Sequence, residues 1–366
     1  MIRTELGLSY TEAGIVISAF AITGGISQLP AGWLADRLGS RLMVLLGVTG
    51  VAVTGLMLSQ SQSYLTLIIF LVLAALLGGG YHPAASSAIS SLVPGERRGR
   101  ALGTHMIGGS SCFWVVPLLA APIAAAIGWR NSYLILSIPA IILGVLLYIL
   151  IGKRSRITEN NQTTLDTSVP KTREQIPWRQ LIPFVLLSVV TGTVIQSVSA
   201  YLSLYAVDHL HIAEQTAAML MAISPGVGLF AAPMGGYLAD RFGGMPVLVV
   251  ASILAIPLVY ILGLATNALS LVIIMILIGL VSFTRMPTSE AFIAGHTPQH
   301  RRSTILGFYF FAGAEVSGLL TPVVGNLIDR YGFSQSFTIA SVTLGVATAL
   351  CLLVLWRNRA LTVSYK

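Results

Sequence analysis

The sequence predicts an all-α polytopic membrane protein built from two parallel repeats of helices. Three observations support this fold class. Of the 366 residues, 55% are hydrophobic and only 9% are charged. Apolar runs of about 20 residues or more follow one another along the chain, each long enough to cross a bilayer as a helix. Short phrases also recur at one fixed spacing. Because soluble proteins carry about 25% charged residues, most of this chain must lie in lipid.

The apolar runs between turn signals predict eleven helices. They cover residues 9–35, 41–60, 63–93, 99–127, 130–152, 178–207, 213–239, 245–265, 269–295, 301–328 and 333–357. The segment between the fifth and sixth helices is polar and aperiodic, which is typical of a flexible linker. We therefore predict an N-terminal bundle at 1–152, a linker at 153–177, a C-terminal bundle at 178–357 and a tail at 358–366.

The formal net charge of +8 reflects membrane topology and does not indicate a nucleic-acid partner. Every Lys and Arg except Arg3, Arg130, Arg285 and Arg330 lies in alternate loops or in the C-terminal tail. Cytoplasmic loops are enriched in these residues. We therefore expect a multi-pass protein of the plasma or inner membrane, with its linker and C-terminus in the cytoplasm.

The two bundles are predicted to be copies related by an offset of 204 residues. The phrase "GWLADRLGS" from Gly32 returns as "GYLADRFGG" from Gly236, and "PGERRGRALG" from Pro94 returns as "PQHRRSTILG" from Pro298. Several matches at one spacing indicate a duplication, and copies that run in the same direction form parallel repeats.

The same offset predicts that the first bundle has one helix fewer than the second. The helix at 178–207 has no counterpart in the sequence, although the segment that follows it, from His209, corresponds to "ELGLSYTEAG" from Glu5. We expect eleven of twelve helices, with the first one missing because the native protein starts earlier. The alternative is a true eleven-helix protein.

Nothing in the sequence predicts a metal, a cofactor or an enzyme. Asp208, His209, His211 and Glu214 lack a recognisable ligand spacing, and the chain contains no Walker A pattern. We therefore expect no cofactor.

The two loop phrases resemble a signature of the major facilitator superfamily of secondary transporters, found between helices 2 and 3. The matching residues are Gly32, Asp36, Arg37, Gly39 and Arg41, with a second copy at Gly236, Asp240, Arg241 and Gly243. The resemblance covers the whole chain except the missing helix. It departs from the family pattern at Ser40, where a basic residue is usual.

The resemblance implies a monomer in the lipid bilayer that moves a small-molecule substrate with protons or sodium through a central cavity lined by helices 1, 4, 7 and 10. The segment "GGGYHPAASSAIS", from residue 78, further resembles an element of fosmidomycin-resistance exporters. It therefore implies export. The glycine-rich motif of antiporters is only approximated, by Gly103, Gly108, Gly109 and Pro117.

Asp36 is predicted to contact another helix, because its own helix dipole disfavours a carboxylate at a C-terminal end. The N-terminus near Ser303 is the expected partner, and by duplication Asp240 is expected near Gly99. The resemblance implies a conformational latch between the two halves. The alternative is a solvated turn in which Arg37 and Arg41 only set topology.

Arg285 is predicted to face a cavity, because a charged Arg near the bilayer centre costs about 2.5–3.5 kcal/mol unless it is paired or hydrated. Tyr81, its counterpart in the first copy, and the neighbouring His82 should lie at a similar depth. Arg285 is then a substrate-binding or coupling residue, favouring an organic anion. The alternative is a structural ion pair with Glu290 or Glu315.

Other polar side chains in the apolar helices are candidates for substrate binding and proton coupling. Carboxyl and imidazole groups can carry protons within membranes, which makes His82, Glu290 and Glu315 the predicted coupling residues. The predicted substrate-binding residues are Tyr81, His82, Ser86, Gln196, Tyr201 and Arg285. The alternative for each is helix packing or a structural hydrogen bond.

The predicted function is transport of a small organic solute by alternating access, as proton-coupled efflux. The alternative within this class is proton-coupled uptake of an organic anion. The alternative from another class is a non-transporting protein, either a degenerate transporter or a receptor.

Overall fold

The computed structural model describes residues 2–8, 10–163 and 176–363, and this part of the chain is helical and without strands. Its α-helices are α1 (Ile2–Glu5), α2 (Tyr10–Leu38), α3 (Ser40–Leu58), α4 (Tyr64–Gly78), α5 (Tyr81–Leu92), α6 (Arg98–Ile127), α7 (Trp129–Thr163), α8 (Trp178–Ser199), α9 (Leu202–Leu204), α10 (Glu214–Leu220), α11 (Ile223–Phe242), α12 (Gly244–Leu262), α13 (Ala268–Gly295) and α14 (Arg302–Val363). A π-helical turn, Tyr205–His209, follows α9.

Eight helical segments of the described chain are long and apolar enough to cross a membrane, judged by length and composition. One of them, Gln299–Leu355, includes Gly332, whose φ of 76° interrupts α14. The all-α membrane class is therefore confirmed, whereas the count of eleven of twelve helices is not confirmed and stays a prediction.

The predicted helix 63–93 is divided into α4 and α5 at Gly79 and Gly80. Proline has no backbone N–H, so Pro83 cannot donate a hydrogen bond to the carbonyl of Gly79. The helical ladder is interrupted there, although Tyr64–Leu92 still forms one candidate span.

The chain divides into two compact units. The first contains residues 1–92, 115–175 and 297–311, and the second contains residues 93–114, 176–296 and 312–366. The predicted bundles rest on duplication, a different criterion, and their boundaries stay a prediction. We call the repeat up to residue 152 the first copy and the repeat from residue 178 the second copy.

The second unit has an extensive apolar core around α8. Val194 and Val198 of α8 pack in one buried cluster with Val259 of α12 and Met275 of α13. The hydroxyl of Tyr205 donates a hydrogen bond of 2.7 Å to the carbonyl of Ala265, so the polar end of this buried ring is satisfied.

The duplication is visible in how equivalent helices begin. The Ser63 hydroxyl accepts from the backbone N–H of Thr66, and 204 residues later the Asn267 side chain accepts from that of Ser270. In both copies the side chain at the third position returns a hydrogen bond to the cap, which completes a capping box.

Single glycines join two pairs of consecutive helices. Gly128 stands between α6 and α7 with a φ of 92°, and Gly332, its counterpart 204 residues later, has a φ of 76°. These left-handed values favour glycine. Both turns therefore depend on the same residue type at the same position of the repeat.

A polar network in the first unit ties α1 to the start of α7. The indole Nε1 of Trp129 donates to Glu5 Oε2 at 2.8 Å, and Arg130 Nη1 donates to Glu5 Oε1. Arg130 Nε also donates to the carbonyl of Ser61 at 2.7 Å. The hydrogen bond from Arg130, followed by that from Trp129, holds the pKa of Glu5 below its usual range.

We expect this network to weaken in acid. A carboxyl with a lowered folded-state pKa contributes its full stabilisation above its unfolded pKa, about 4.3 for Glu, and loses it as the pH falls through the folded value. Hydrogen–deuterium exchange of α1, corrected for intrinsic rates, should therefore accelerate in acid. Glu5→Gln should remove this dependence, and Glu96→Gln, at an exposed site, should retain it. Identical pH profiles for Glu5→Gln and the parent would contradict the assignment.

Candidate functional site

Asp36, near the end of α2, caps the N-terminus of α14 within the first unit. Its Oδ1 accepts a hydrogen bond from the backbone N–H of Ser303 at 2.9 Å. Its Oδ2 accepts from the backbone N–H of Thr304 at 2.7 Å and from the Thr304 hydroxyl at 2.6 Å. The first N–H groups of a helix have no partner within it, and the positive end of the helix dipole favours a carboxylate. The expected contact near Ser303 is present.

Asp240 makes the equivalent cap on α6 within the second unit. Its carboxylate accepts from the backbone N–H groups of Gly99 at 2.7 Å and Arg100 at 2.9 Å, and from Arg100 Nε at 3.3 Å. Each of these three positions differs by 204 from its counterpart at the first cap. The caps therefore share their geometry, but Arg100 adds an ion pair where Thr304 adds a hydroxyl.

Glycines let the capped helices approach through their backbones. A Cβ on Gly32 would lie 2.5 Å from the carbonyl oxygen of Ser303 and 3.3 Å from Cα of Gly307. A Cβ on Gly236 would collide with the carbonyl oxygen of Gly99. Any side chain at either position would push the two backbones apart, so these signature glycines serve close packing.

The other signature glycines form the turns that follow the carboxylates. Gly39 and Gly243 have φ values of 93° and 87°. Two residues after Gly39, the Arg41 guanidinium lies 3.8 Å from the centre of the Tyr148 ring, and its Nε donates to the Tyr148 carbonyl at 2.6 Å. Arg41 therefore fastens the start of α3 to α7.

The arginines beside the carboxylates contact aromatic rings one turn earlier. The guanidinium of Arg37 lies 3.9 Å from the ring centre of Trp33. In the second copy, Arg241 Nη1 donates to the Tyr237 hydroxyl at 3.2 Å. Because these arginines contact aromatic residues, the neighbouring carboxylates remain available to the N–H groups of the helices that they cap. The role of the nine signature residues as a latch stays a prediction.

Arg285 is buried between α13 and α8 in the second unit, with only 9% of its surface exposed. Its Nη1 donates to the carbonyl of Ser188 at 2.9 Å and to the Ser188 hydroxyl at 2.8 Å. The Ser188 hydroxyl is also 2.7 Å from that of Ser289. A Cβ on Gly192 would lie 2.5 Å from Arg285 Nη2. Neither Ser188 nor Gly192 was predicted as a site residue from the sequence, although their spacing of four places them on one helix face.

In the first unit, His82 lies among aromatic rings. Its ring centre is 5.4 Å from that of Tyr81 and 5.8 Å from that of Phe310. The imidazole is exposed, whereas Ser86, one turn later on α5, is buried. Of Tyr81, His82 and Ser86, His82 has the most exposed surface.

The remaining candidates in the second unit differ in their exposure. Glu290 on α13 is only 3% exposed, Glu315 on α14 is half-buried and Gln196 on α8 is exposed. The Tyr201 hydroxyl donates to the carbonyl of Thr321 at 2.9 Å. Glu315 is therefore the more exposed of the two carboxyl groups. Their functional roles stay predictions.

Among the residues that the structure describes, no three His, Cys, Asp or Glu side chains cluster in a way that could hold a metal ion. Cys112 and Cys351 are free thiols.

Comparisons with known proteins identify a family and several relatives. The sequence profile of the Major Facilitator Superfamily matches residues 1–322. The multidrug resistance protein MdtG of Salmonella arizonae is 27% identical over 339 residues, which cover 90% of this chain and 81% of the relative. MdtG of Enterobacter lignolyticus is 26% identical over 340 residues, which cover 90% and 79%.

Solved structures of transporters share this fold. The human organic anion transporter MFSD10 (TETRAN) matches with a TM-score of 0.75 and 14% identity, over 95% of this chain and 87% of that protein. The E. coli fucose:proton symporter FucP matches with a TM-score of 0.71 and 16% identity, over 94% and 91%. At these identities the likeness establishes the fold alone.

The glycines at the caps should be intolerant of any side chain. Gly32→Ala and Gly236→Ala should each destabilise the protein by about 1–3 kcal/mol, because the added methyl group overpacks a backbone contact. Thermal unfolding in detergent measures this. Gly24→Ala is the matched control, because a Cβ on this α2 glycine meets nothing within 4 Å. Equal melting temperatures for Gly32→Ala and Gly24→Ala would contradict the close approach.

Proposed function

Because the chain belongs to the Major Facilitator Superfamily, we propose that it is a secondary transporter that exports a small organic solute in exchange for protons. Membership makes it a multi-pass membrane transporter and sets aside enzymatic function. Export is supported by the MdtG relatives, which are named for multidrug resistance and align over 90% of this chain. The basic loops further support an inner-membrane location with the linker and C-terminus in the cytoplasm.

Alternating access needs contacts that hold one state and can still be broken. The caps of Asp36 and Asp240 fit this need, because each joins the end of a helix of one copy to the first turn of a helix of the other through hydrogen bonds to a charged group. Such bonds contribute about 1.5–3 kcal/mol each. That is within reach of the energy that a bound solute or proton can supply, so we assign the latch to these two carboxylates.

The three predicted coupling residues differ in how much of their surface is exposed. Glu315 is half-buried and His82 is exposed, whereas Glu290 is enclosed by its neighbours. We assign proton exchange first to Glu315, with His82 and Glu290 as further carriers. Among the predicted binding residues, His82 is exposed in the first unit and Gln196 in the second. We keep Tyr81, Ser86, Tyr201 and Arg285, which are less exposed, as further binding residues.

Uptake of an organic anion is the second candidate function, favoured by the buried positive charge of Arg285. Its Nη1 already donates to Ser188. An anion would therefore have to replace these acceptors. Lys lacks the planar fork of Arg, so Arg285→Lys should impair anion transport much more than transport of cations.

Transport in proteoliposomes tests the proposal. A panel of cationic, neutral and anionic fluorescent dyes should include at least one that moves against its gradient only when a pH gradient is imposed. Glu315→Gln should abolish this movement while leaving dye exchange at equal pH, because exchange needs no net proton transfer. Glu96→Gln, at an exposed site, should behave like the parent protein.

Two other outcomes of this experiment would contradict proton-coupled export. Accumulation of anionic dyes together with protons, lost in Arg285→Lys, would replace export by the uptake function. No pH-dependent movement and no exchange of any dye would overturn transport and favour a non-transporting protein.

The proposed latch at Asp36 can be tested by mutation. Asp36→Asn removes the charge at the α14 N-terminus, which costs about 0.3–2 kcal/mol and raises the open population by up to roughly 30-fold. A cysteine introduced by Ser303→Cys retains the backbone N–H and reports opening through its labelling by a water-soluble maleimide, in a background of Cys112→Ser and Cys351→Ser. Asp208→Asn, at an exposed site away from the caps, is the control. Unchanged labelling in Asp36→Asn would refute the latch.

A further inference from the structure

Glu5 and His209 occupy the same position of the two copies, 204 residues apart. Glu5 is the last residue of α1, and His209 ends the π-helical turn that follows α9. Both side chains are exposed, so water reaches each of them. A carboxyl group loses its charge below about pH 4, whereas an imidazole gains a charge as the pH falls from about 8 to 5. The two copies therefore place groups with opposite titration at one position of the repeat.

The aromatic partner of this position is repeated as well. Trp129 and Phe333, which are also 204 residues apart, each follow a single glycine that joins two helices. In the first unit, the Trp129 indole donates a hydrogen bond of 2.8 Å to the Glu5 carboxylate. In the second unit, the ring centres of Phe333 and His209 are 6.3 Å apart. The place of the contact is thus conserved, while its chemistry differs.

In the first unit, the contact depends on a charge that is present at neutral pH and in mild acid. Arg130 pairs with Glu5 Oε1 and also donates to the carbonyl of Ser61 at 2.7 Å. Arg130, followed by Trp129, holds the pKa of Glu5 below its usual range, so the carboxylate keeps its charge until the pH falls below about 4.3. Above that pH, α1 is therefore held to α7 without regard to pH.

In the second unit, the contact favours a charge that is present only in acid. The ring of His209 is stacked on that of Tyr205, with ring centres 5.0 Å apart and an interplanar angle of 22°. A cation over the face of an aromatic ring is attracted to it. The carbonyl groups at the C-terminal end of a helical segment also favour a positive charge. A proton on His209 therefore strengthens the contact of this side chain with the turn that carries it.

The π-helical turn is the element that this proton stabilises. The backbone N–H of Leu210 donates to the carbonyl of Tyr205, five residues earlier, at 3.2 Å. Such turns are rare and frequently lie at functional sites. The Tyr205 ring is fully buried and its hydroxyl donates to the carbonyl of Ala265. The surface that receives the imidazole is therefore fixed, and the charge of His209 is the variable part of the contact.

Other charged or titratable groups on the neighbouring elements do not reproduce this arrangement. Those that are exposed are screened by water and salt. They are Asp208 and His211 beside the turn, Tyr260 at the end of α12, and Asp329, Arg330 and Tyr331 on α14, together with Glu214, which begins α10.

We propose that His209 is a proton-binding site that tightens the π-helical turn of the second unit in mild acid, whereas its counterpart Glu5 holds the first unit at neutral pH and in mild acid alike. One position of the repeat thus provides a permanent contact in one unit and a proton-dependent contact in the other. The distribution of basic residues predicts that this position faces away from the cytoplasm, so the pH outside the cell sets the charge of His209. The inference goes beyond the proposed function and does not require transport.

Hydrogen–deuterium exchange of the full chain in nanodiscs, corrected for intrinsic rates, tests the site between about pH 5 and 8. Exchange of residues 205–212 should slow severalfold as the pH falls, while exchange of α1 should not change over this range. His209→Gln should remove the slowing. His209→Lys, which stays charged at every pH tested, should exchange slowly throughout. His211→Asn is the matched control and should keep the parent profile, because Asn tolerates the φ of 54° at this exposed position.

Three results would overturn the proposal. The first is exchange of residues 205–212 that does not depend on pH in the parent protein. The second is slowing that persists in His209→Gln or disappears in His211→Asn, because the responsible group would then be another one. The third is fast exchange of His209→Lys at the highest pH. A proton-dependent turn in a protein that moves no dye would contradict the proposed function and leave this site intact.

Discussion

The structure depends on carboxylates that cap the first turn of a long helix. Asp36 and Asp240 satisfy N–H groups that no helix can satisfy internally, and they place a negative charge at a positive dipole end. The contact forms only because Gly32 and Gly236 let backbones meet without side chains. Charge, hydrogen bonding and close backbone packing thus stabilise the same contact in each copy. This contact fixes the first turn of α6 and of α14.

Duplication has preserved the geometry of this contact while changing its chemistry. The first cap is completed by the Thr304 hydroxyl, and the second by the Arg100 guanidinium. Salt screens exposed ion pairs but affects a neutral hydroxyl little. The two caps therefore respond differently to ionic conditions, although their backbone contacts are the same. In the second cap, Arg100 contacts the carboxylate through both its backbone N–H and its guanidinium.

The loop contacts could be predicted from the sequence because turn residues mark both partners, so that Asp36 and Ser303 are each located to within a residue. The surroundings of Arg285 could not. Its burial depends on which face of α8 turns toward α13, and only the packing shows that Ser188 accepts its hydrogen bonds while Gly192 leaves it room. The break before α5 was missed because apolar composition continues through Gly79 and only Pro83 marks it.

Gly128 follows α6, and Gly332 follows the first part of α14. These single glycines limit how the two helices can move. Both helices are held at their first turn by a carboxylate, and both run into the next helix through one residue, Gly128 or Gly332. A connection of one residue has no slack. When either helix tilts, its whole displacement must be absorbed by rotation at that glycine or passed to the following helix. Each capped helix is therefore fixed at its first turn and has a one-residue hinge at its other end.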